Sequence, residues 1–285
     1  MARKKSSKLK KAISILISFL LSFLLFVLSL MLVMQAVFFN KSALIHSMND
    51  ACYIEEKTRE ITQELTDLGY ASGLNESFFK GLVDYSLVYS DTVEYVEKFY
   101  EGTGNAINDS DFREIFNKSL DNYIIKNKIN PAFVDKGSRE YLVSSVAKIY
   151  RSSLELPLFR TIAGYFLGVK NILPIAMSVV GVLIILLCII LFAISKWKHR
   201  ACKYLCCSTI TVFLATLAPA IALKVSGIIE QLNISSRATY LLFIAVGNSF
   251  IMTLIYFSVF YAVVSVLIYL LHRYYRAKKS SRSRL

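Results

Sequence analysis

The apolar run ILPIAMSVVGVLIILLCIILFAI at residues 172–194 is followed directly by the basic segment SKWKHRACKY at residues 195–204. The run has no charged residue and is long enough to cross a bilayer as an α-helix, which takes about 20 residues. Trp197 lies between Lys196 and Lys198, a pattern typical of the membrane interface, where aromatic and cationic side chains concentrate. The run and its flank therefore predict a membrane span that ends on a basic face.

Three more apolar runs have the same character and lie at residues 12–40, 205–223 and 241–271. The first contains 29 residues without a charge. This length exceeds the roughly 7–15 apolar residues of a signal-peptide core, so we expect an uncleaved anchor. We expect Pro219 to break the helix of the 205–223 run near its end. The sequence thus predicts an all-α integral membrane protein with four transmembrane helices.

Basic residues are concentrated at the two ends of the chain and in the segment 195–204, which together have sixteen Lys and Arg and no acid. Residues 40–171 instead contain 15 basic and 19 acidic residues. By the positive-inside rule, both termini are expected in the cytoplasm and residues 41–171 outside it, at the cell membrane. The basic flanks would attract the anionic lipid headgroups of the bilayer. Because the excess charge lies beside the spans, nucleic acid is not an expected partner.

The runs and the charges together divide the chain into nine segments. They are a basic cytoplasmic tail (1–11), transmembrane helix 1 (12–40), an extracytoplasmic α-helical domain (41–171), transmembrane helix 2 (172–194), a basic cytoplasmic turn (195–204), transmembrane helix 3 (205–223), a short outer loop (224–240), transmembrane helix 4 (241–271) and a second basic cytoplasmic tail (272–285). The outer domain has one cysteine, Cys52, so no disulfide can form within it. Such a domain, rich in Lys, Asn, Ile and Tyr, favours a bacterial source.

The outer domain has the periodicity of helices rather than strands. Apolar and small residues recur at alternating steps of three and four from position 44 to position 68, which predicts one helix that continues from span one and ends at Gly69. Further helical faces follow up to Pro157, and residues 158–170 predict an interfacial helix that leads into span two. We therefore expect an extracytoplasmic helical bundle.

Small and polar side chains inside the apolar runs are candidates for contacts between helices or with a partner. Ser14, Ser18, Ser22 and Ser29 share one face of the first run, and small residues at this spacing let helices approach closely in lipid. Gln35 is an amide near the outer end of span one, and Asn248 is an amide in the outer half of span four. No Asp, Glu, Lys or Arg lies inside a span, which disfavours an ion-coupled transporter.

Signals for a catalytic or metal site are weak. His199, Cys202, Cys206 and Cys207 are zinc-type ligands within nine residues, but one straight helix cannot close four ligands around an ion, and known zinc sites use separated pairs. The three histidines lie far apart along the sequence, and no nucleotide, protease or kinase signature is present. We therefore expect a protein without enzymatic activity, cofactor or metal.

Two functional hypotheses follow. In the first, the protein is a scaffold or sensor whose outer domain binds a protein partner or a ligand, and continuous helices transmit the event through spans one and two. In the second, it is a permease-like subunit, since the order of its spans is similar in topology to the small ABC-type permeases of bacterial cell division, although no motif is shared. The basic residues Lys196, Lys198 and Arg200, or a basic tail, would then dock a cytoplasmic ATPase.

Overall fold

Helix α1 runs from Ala2 through the first apolar segment to Val37 and is one of ten α-helices that the structure describes. The structure is a computed structural model, and it describes residues 2–71, 73–104, 106–128, 135–195 and 197–282. No strand occurs in these residues. The other helices are α2 (Lys41–Asp50), α3 (Tyr53–Ala71), α4 (Glu76–Phe79), α5 (Tyr85–Glu101), α6 (Ser110–Lys126), α7 (Lys136–Leu154), α8 (Pro157–Ile194), α9 (Lys198–Ser226) and α10 (Arg237–Arg282).

The predicted all-α fold is confirmed. Four helical segments are long and apolar enough to cross a membrane, at Lys10–Val37, Thr161–Ile194, Lys198–Ser226 and Arg237–Ala277. Helices α2–α7 lie between the first and second of them along the chain. The chain divides into two units, of which unit 1 contains residues 1–40, 169–231 and 247–285, and unit 2 contains residues 41–168 and 232–246.

The helices extend beyond the apolar runs that predicted them. Helix α9 begins at Lys198, so the predicted turn 195–204 is mostly helical. The predicted tails are also helical from Ala2 and up to Arg282, and residues 158–170 form one helix with span two instead of a separate interfacial helix. Lys and Arg are good helix formers, and extending an existing helix is favourable once its nucleus has formed. Hydropathy therefore locates the bilayer-crossing residues but not the helix ends.

The predicted continuous helix from span one to position 68 is interrupted twice. Helix α1 ends at Val37 and α2 begins at Lys41, which leaves three residues outside any helix. A second break separates α2 from α3, where Cys52 has a φ of 49°. This left-handed conformation is strained for a residue with a Cβ. The hypothesis of a continuous rigid helix from span one into the outer domain is therefore wrong.

Pro219 lies inside α9, which continues to Ser226. The expectation that Pro219 breaks the span is therefore wrong. Pro174 likewise lies inside α8. Proline is tolerated in membrane helices because neighbouring helices, polar side chains and local adjustments of the backbone satisfy the carbonyl group that it frees.

Aromatic residues form the core of unit 2. The ring of Phe112 stacks on that of Tyr150 with their centroids 4.0 Å apart, which joins α6 to α7. Phe99 of α5 stacks on Phe159 of α8 at 3.8 Å, and Phe166 lies 4.6 Å from Phe99. The first turns of α8 therefore belong to the core of this unit. Gly102 ends α5 in the left-handed conformation, with a φ of 74°, as helix C-terminal glycines often do.

Gly69 lies inside α3 and does not end it, contrary to expectation. A Cβ at this position would overlap the ring of Phe79, which is fully buried. Gly69 is therefore needed for the close approach of α4 to α3.

We predict that Gly69→Ala destabilises the protein. Displacing a packed ring costs roughly 1–3 kcal/mol, which exceeds the gain of about 1 kcal/mol from replacing a helical glycine by alanine. Thermal unfolding of the detergent-solubilised protein measures the difference. Gly164→Ala is the matched control, because a Cβ at this helical glycine meets no atom within 4 Å, and it should leave stability unchanged or raised. Equal midpoints for the two variants would contradict the prediction.

Candidate functional site

Helix α3 presents a lysine on its buried face. Lys57 lies between Ile54 and Ile61 at helical steps of three and four, and the residue is only 5% exposed. A buried ammonium group requires hydrogen-bonding partners and a compensating charge. Glu60, one turn further along the same helix, supplies the charge with an Nζ to Oε2 distance of 2.8 Å.

The pair joins α3 to the first turn of α10. Glu60 Oε1 accepts a hydrogen bond from the backbone N–H of Ala238 at 2.9 Å, and Glu60 Oε2 accepts one from the hydroxyl of Ser236 at 2.8 Å. Lys57 Nζ also donates to Ser236 Oγ at 3.2 Å. Ser236 precedes the helix and its Oγ accepts from the N–H of Thr239 at 3.2 Å, which makes it the N-cap of α10. We call Lys57, Glu60, Ser236 and Ala238 the α10 cap cluster.

The electrostatics of the α10 cap cluster favour an ionised Glu60. Burial alone would raise the pKa of its carboxyl, but the hydrogen bonds from Lys57, the Ala238 N–H and Ser236 outweigh it and lower the pKa below its ordinary value of 4.5. The positive end of the α10 dipole also favours a carboxylate at this position. At the edge of the cluster, Arg237 lies 3.8 Å from Glu56. The arrangement holds the first turn of α10 against α3 through a charge pair and hydrogen bonds.

The serines predicted on the first apolar run are buried within unit 1, and exposure of the most accessible, Ser18, is 9%. Ser18 Oγ lies 2.8 Å from Ser208 Oγ of α9, and Ser29 Oγ lies 2.8 Å from the hydroxyl of Tyr261 of α10. Ser14 and Ser22 donate instead to carbonyl groups of their own helix. The face defined by these serines thus lies against α9 and α10.

Two further hydroxyl pairs join α9 to α10, and neither was predicted from the sequence. Thr209 lies 2.8 Å from Ser265, and Thr216 lies 2.8 Å from Ser258. The two threonines are seven positions apart on α9, and the two serines are seven positions apart on α10 in the opposite chain direction. This is the spacing of an antiparallel helix pair. That shared spacing of seven was the available sequence signal.

The other predicted residues have different surroundings. Gln35 has a buried Oε1 without a hydrogen-bond partner among the residues that the structure describes. Asn248 is exposed on α10, and Lys198 and Arg200 are exposed at the start of α9. Lys196 lies outside the described residues. Partner binding by these side chains stays a prediction.

The candidate zinc ligands at the start of α9 differ in their exposure to solvent. Cys202 is buried, Cys206 is half-buried and Cys207 is exposed. His272 Nδ1 lies 2.6 Å from the carbonyl oxygen of His199. In the part of the chain that the structure describes, no three His, Cys, Asp or Glu side chains come together as a metal site would require.

The α10 cap cluster also escaped the sequence analysis. Ser236 before an apolar helix is an N-cap signal, and a lysine between two buried isoleucines signals a buried charge. Neither signal predicts that Lys57 and Ser236 are in contact, because the two residues lie 179 positions apart in the sequence.

Comparisons of the chain with protein families, with curated proteins and with solved structures found no match. The fold alone therefore defines the class of protein to which this chain is assigned. The protein is a four-span helical membrane protein with a helical region between its first two spans.

We predict that Glu60→Gln lowers the free energy of unfolding by about 3 kcal/mol, because it leaves the buried Lys57 ammonium without a counter-charge. Hydrogen exchange at residues 237–246 should also accelerate. Thermal unfolding and exchange mass spectrometry of the detergent-solubilised protein measure both effects. The double variant Lys57→Met/Glu60→Gln should recover most of the loss, since it removes both charges together.

The pH dependence of this loss has a defined sign. Since folding lowers the pKa of Glu60, its contribution to stability is complete above the unfolded pKa of about 4.5 and is lost as the pH falls through the lower folded value. The difference between wild type and Glu60→Gln should therefore be constant above about pH 5.5 and shrink below pH 4.5. Glu114→Gln, which breaks the exposed pair with Lys118, should leave stability almost unchanged, because solvent screens an exposed ion pair. Equal effects of the two variants would contradict the prediction.

Proposed function

We propose that this protein is a non-enzymatic membrane sensor or scaffold. Its region α2–α7 lies outside the cytoplasm and binds a protein partner or a ligand there. The α10 cap cluster carries changes in α3 to the helix that forms the fourth span.

The observation that supports this proposal is the chemistry of the α10 cap cluster. A buried ion pair contributes less to stability than apolar residues of the same volume would, and some proteins retain such pairs for conformational specificity. Here the pair holds the N-cap of a helix that continues to Arg282 as the fourth candidate span. A ligand that moves α3 would therefore act on a charged contact that can break and reform.

Transmission through α8 and α10 replaces transmission through span one. The first turns of both helices pack within unit 2, through Phe159 and Phe166 in α8 and through Ala238 in α10. Helix α1, in contrast, ends at Val37 and contributes no residue to that unit. A flexible insertion at Lys41 would therefore fall in a junction that is already non-helical, and it would leave the proposed route through α8 and α10 intact.

The orientation in this proposal comes from the positive-inside rule and makes a direct prediction. A membrane-impermeant maleimide should label Cys52, which is exposed, in intact cells. A cysteine introduced by Ser281→Cys in the C-terminal tail should react only after the cells are lysed. Cys52→Ala identifies the signal from the native thiol. Labelling of Ser281→Cys in intact cells with protection of Cys52 would show the reverse orientation.

Cross-linking in cells, followed by purification and mass spectrometry, tests the binding role. An impermeant amine cross-linker should capture extracytoplasmic or membrane partners through exposed lysines of the outer region, such as Lys80 and Lys118. These products should persist in the variant Lys198→Gln/Arg200→Gln.

The permease-like alternative predicts a different result. A permeant cross-linker would recover a stoichiometric cytoplasmic ATPase, and Lys198→Gln/Arg200→Gln would remove it. Neutral replacements are used here because reversed charges would alter the topology. Recovery of such an ATPase would overturn the sensor or scaffold proposal.

A further inference from the structure

The break between α2 and α3 opens a cavity of about 360 Å³ in unit 2. Its lining includes Met48 and Asn49 at the end of α2, Cys52 in the turn, Glu55 in the first turn of α3, and Tyr85 and Tyr89 of α5. Ligand cavities in proteins generally measure about 300–1,000 Å³. The left-handed Cys52 and the cavity occur at the same turn, and strained residues that a fold retains often mark functional sites.

The cavity combines aromatic rings with one negative charge. Tyr85 and Tyr89 lie one helical turn apart, with ring planes 15° from parallel and centroids 6.2 Å apart. Their side chains are 47% and 36% exposed, so the rings are accessible to a ligand. Glu55 is the one charged residue in the lining. It forms no ion pair among the described residues, whereas its neighbour Glu56 pairs with Arg59.

This combination is complementary to an organic cation. Tyrosine rings attract cations to their faces through the ring quadrupole, and aromatic residues around a quaternary ammonium group are a recurring recognition mode. The same region already contains such a contact, since Lys57 Nζ lies 5.8 Å from the centroid of the Tyr53 ring. An anion would be repelled by Glu55. A hard metal ion would need several oxygen ligands, but the lining has a single carboxylate.

We propose that this cavity binds a small soluble organic cation with a methylated ammonium group, of the choline class. The accessible apolar surface of the cavity comes from the rings of Tyr85 and Tyr89, and aromatic faces suit methylated ammonium groups better than a strongly hydrated primary ammonium. All the lining residues come from α2, the turn after it, α3 and α5, and none comes from a candidate span. This origin favours a soluble ligand over a lipid headgroup. The inference rests on the proposed function, because it gives the outer region a ligand class.

Protection of Cys52 from a maleimide tests binding, because this exposed thiol lines the cavity. The full chain is solubilised in dodecyl maltoside, choline chloride is titrated in, and labelling of Cys52 is followed by peptide mass spectrometry. Choline should slow the labelling in a saturable way. The uncharged isostere 3,3-dimethylbutanol should protect weakly or not at all. A cysteine introduced by Ser152→Cys on the exposed face of α7 should react at the same rate throughout.

Variants separate the charge from the rings. Glu55→Gln and Tyr85→Leu/Tyr89→Leu should each weaken choline protection about threefold to thirtyfold. Tyr85→Phe/Tyr89→Phe should retain it, as should Glu140→Gln, which removes an exposed carboxylate elsewhere on the unit. Absence of protection in the wild type, or equal protection by choline and its uncharged isostere, would overturn the inference.

Two further comparisons complete the test. Choline affinity should be equal in nanodiscs of phosphatidylglycerol and of phosphatidylcholine, and a lower affinity in phosphatidylcholine would assign the site to the lipid headgroup instead. If choline gives no protection while Glu60→Gln still accelerates exchange at residues 237–246, the ligand class is wrong and the coupling through the α10 cap cluster stands. If choline protects Cys52 but cross-linking recovers a stoichiometric ATPase, the binding site stands and the proposed function is wrong.

Discussion

The lack of water in the bilayer core governs this structure, because every backbone N–H and C=O group there must find a partner within the protein. A helix meets this requirement locally, and each of the four candidate spans is helical throughout. Pro174 and Pro219 lie inside helices that continue past them. The same requirement does not apply to residues 38–40 or 51–52, outside the candidate spans, where the chain leaves the helical conformation.

Different interactions stabilise the interior of each of the two units. Hydrophobic burial does not drive helices together in lipid, so polar contacts and close packing are needed instead. Unit 1 accordingly has hydroxyl pairs such as Ser18 with Ser208 and Thr216 with Ser258. Unit 2 buries stacked rings, including Phe112 on Tyr150, and adds one buried ion pair at the start of α10. That pair combines a charge, a helix cap and a helix dipole, and it joins α3 to the first turn of the helix that forms the fourth candidate span.

Much of the fold could be predicted because the signals are local. Hydropathy identified the four candidate spans, and the steps of three and four identified helices in the region between spans one and two. The errors occurred where a single residue depends on a distant neighbour. A glycine after a helical pattern is typical of a helix end. Gly69 instead lies inside α3, where the Phe79 ring packs against it and leaves no room for a Cβ. The break at Cys52 has neither a glycine nor a proline to mark it, so periodicity continued through it.

The sequence by itself determined the all-helical class and the number of spans, because hydropathy is a sum over neighbouring residues. Only the tertiary structure decided which polar residues meet. Lys57 and Ser236 are separated by 179 positions, and Ser29 and Tyr261 by 232. The free energy of such a contact depends on distance and burial, and neither quantity exists until the helices have packed. The cavity beside Cys52 arises for the same reason, since the residues that line it come from two separate stretches of chain, 48–55 and 85–89.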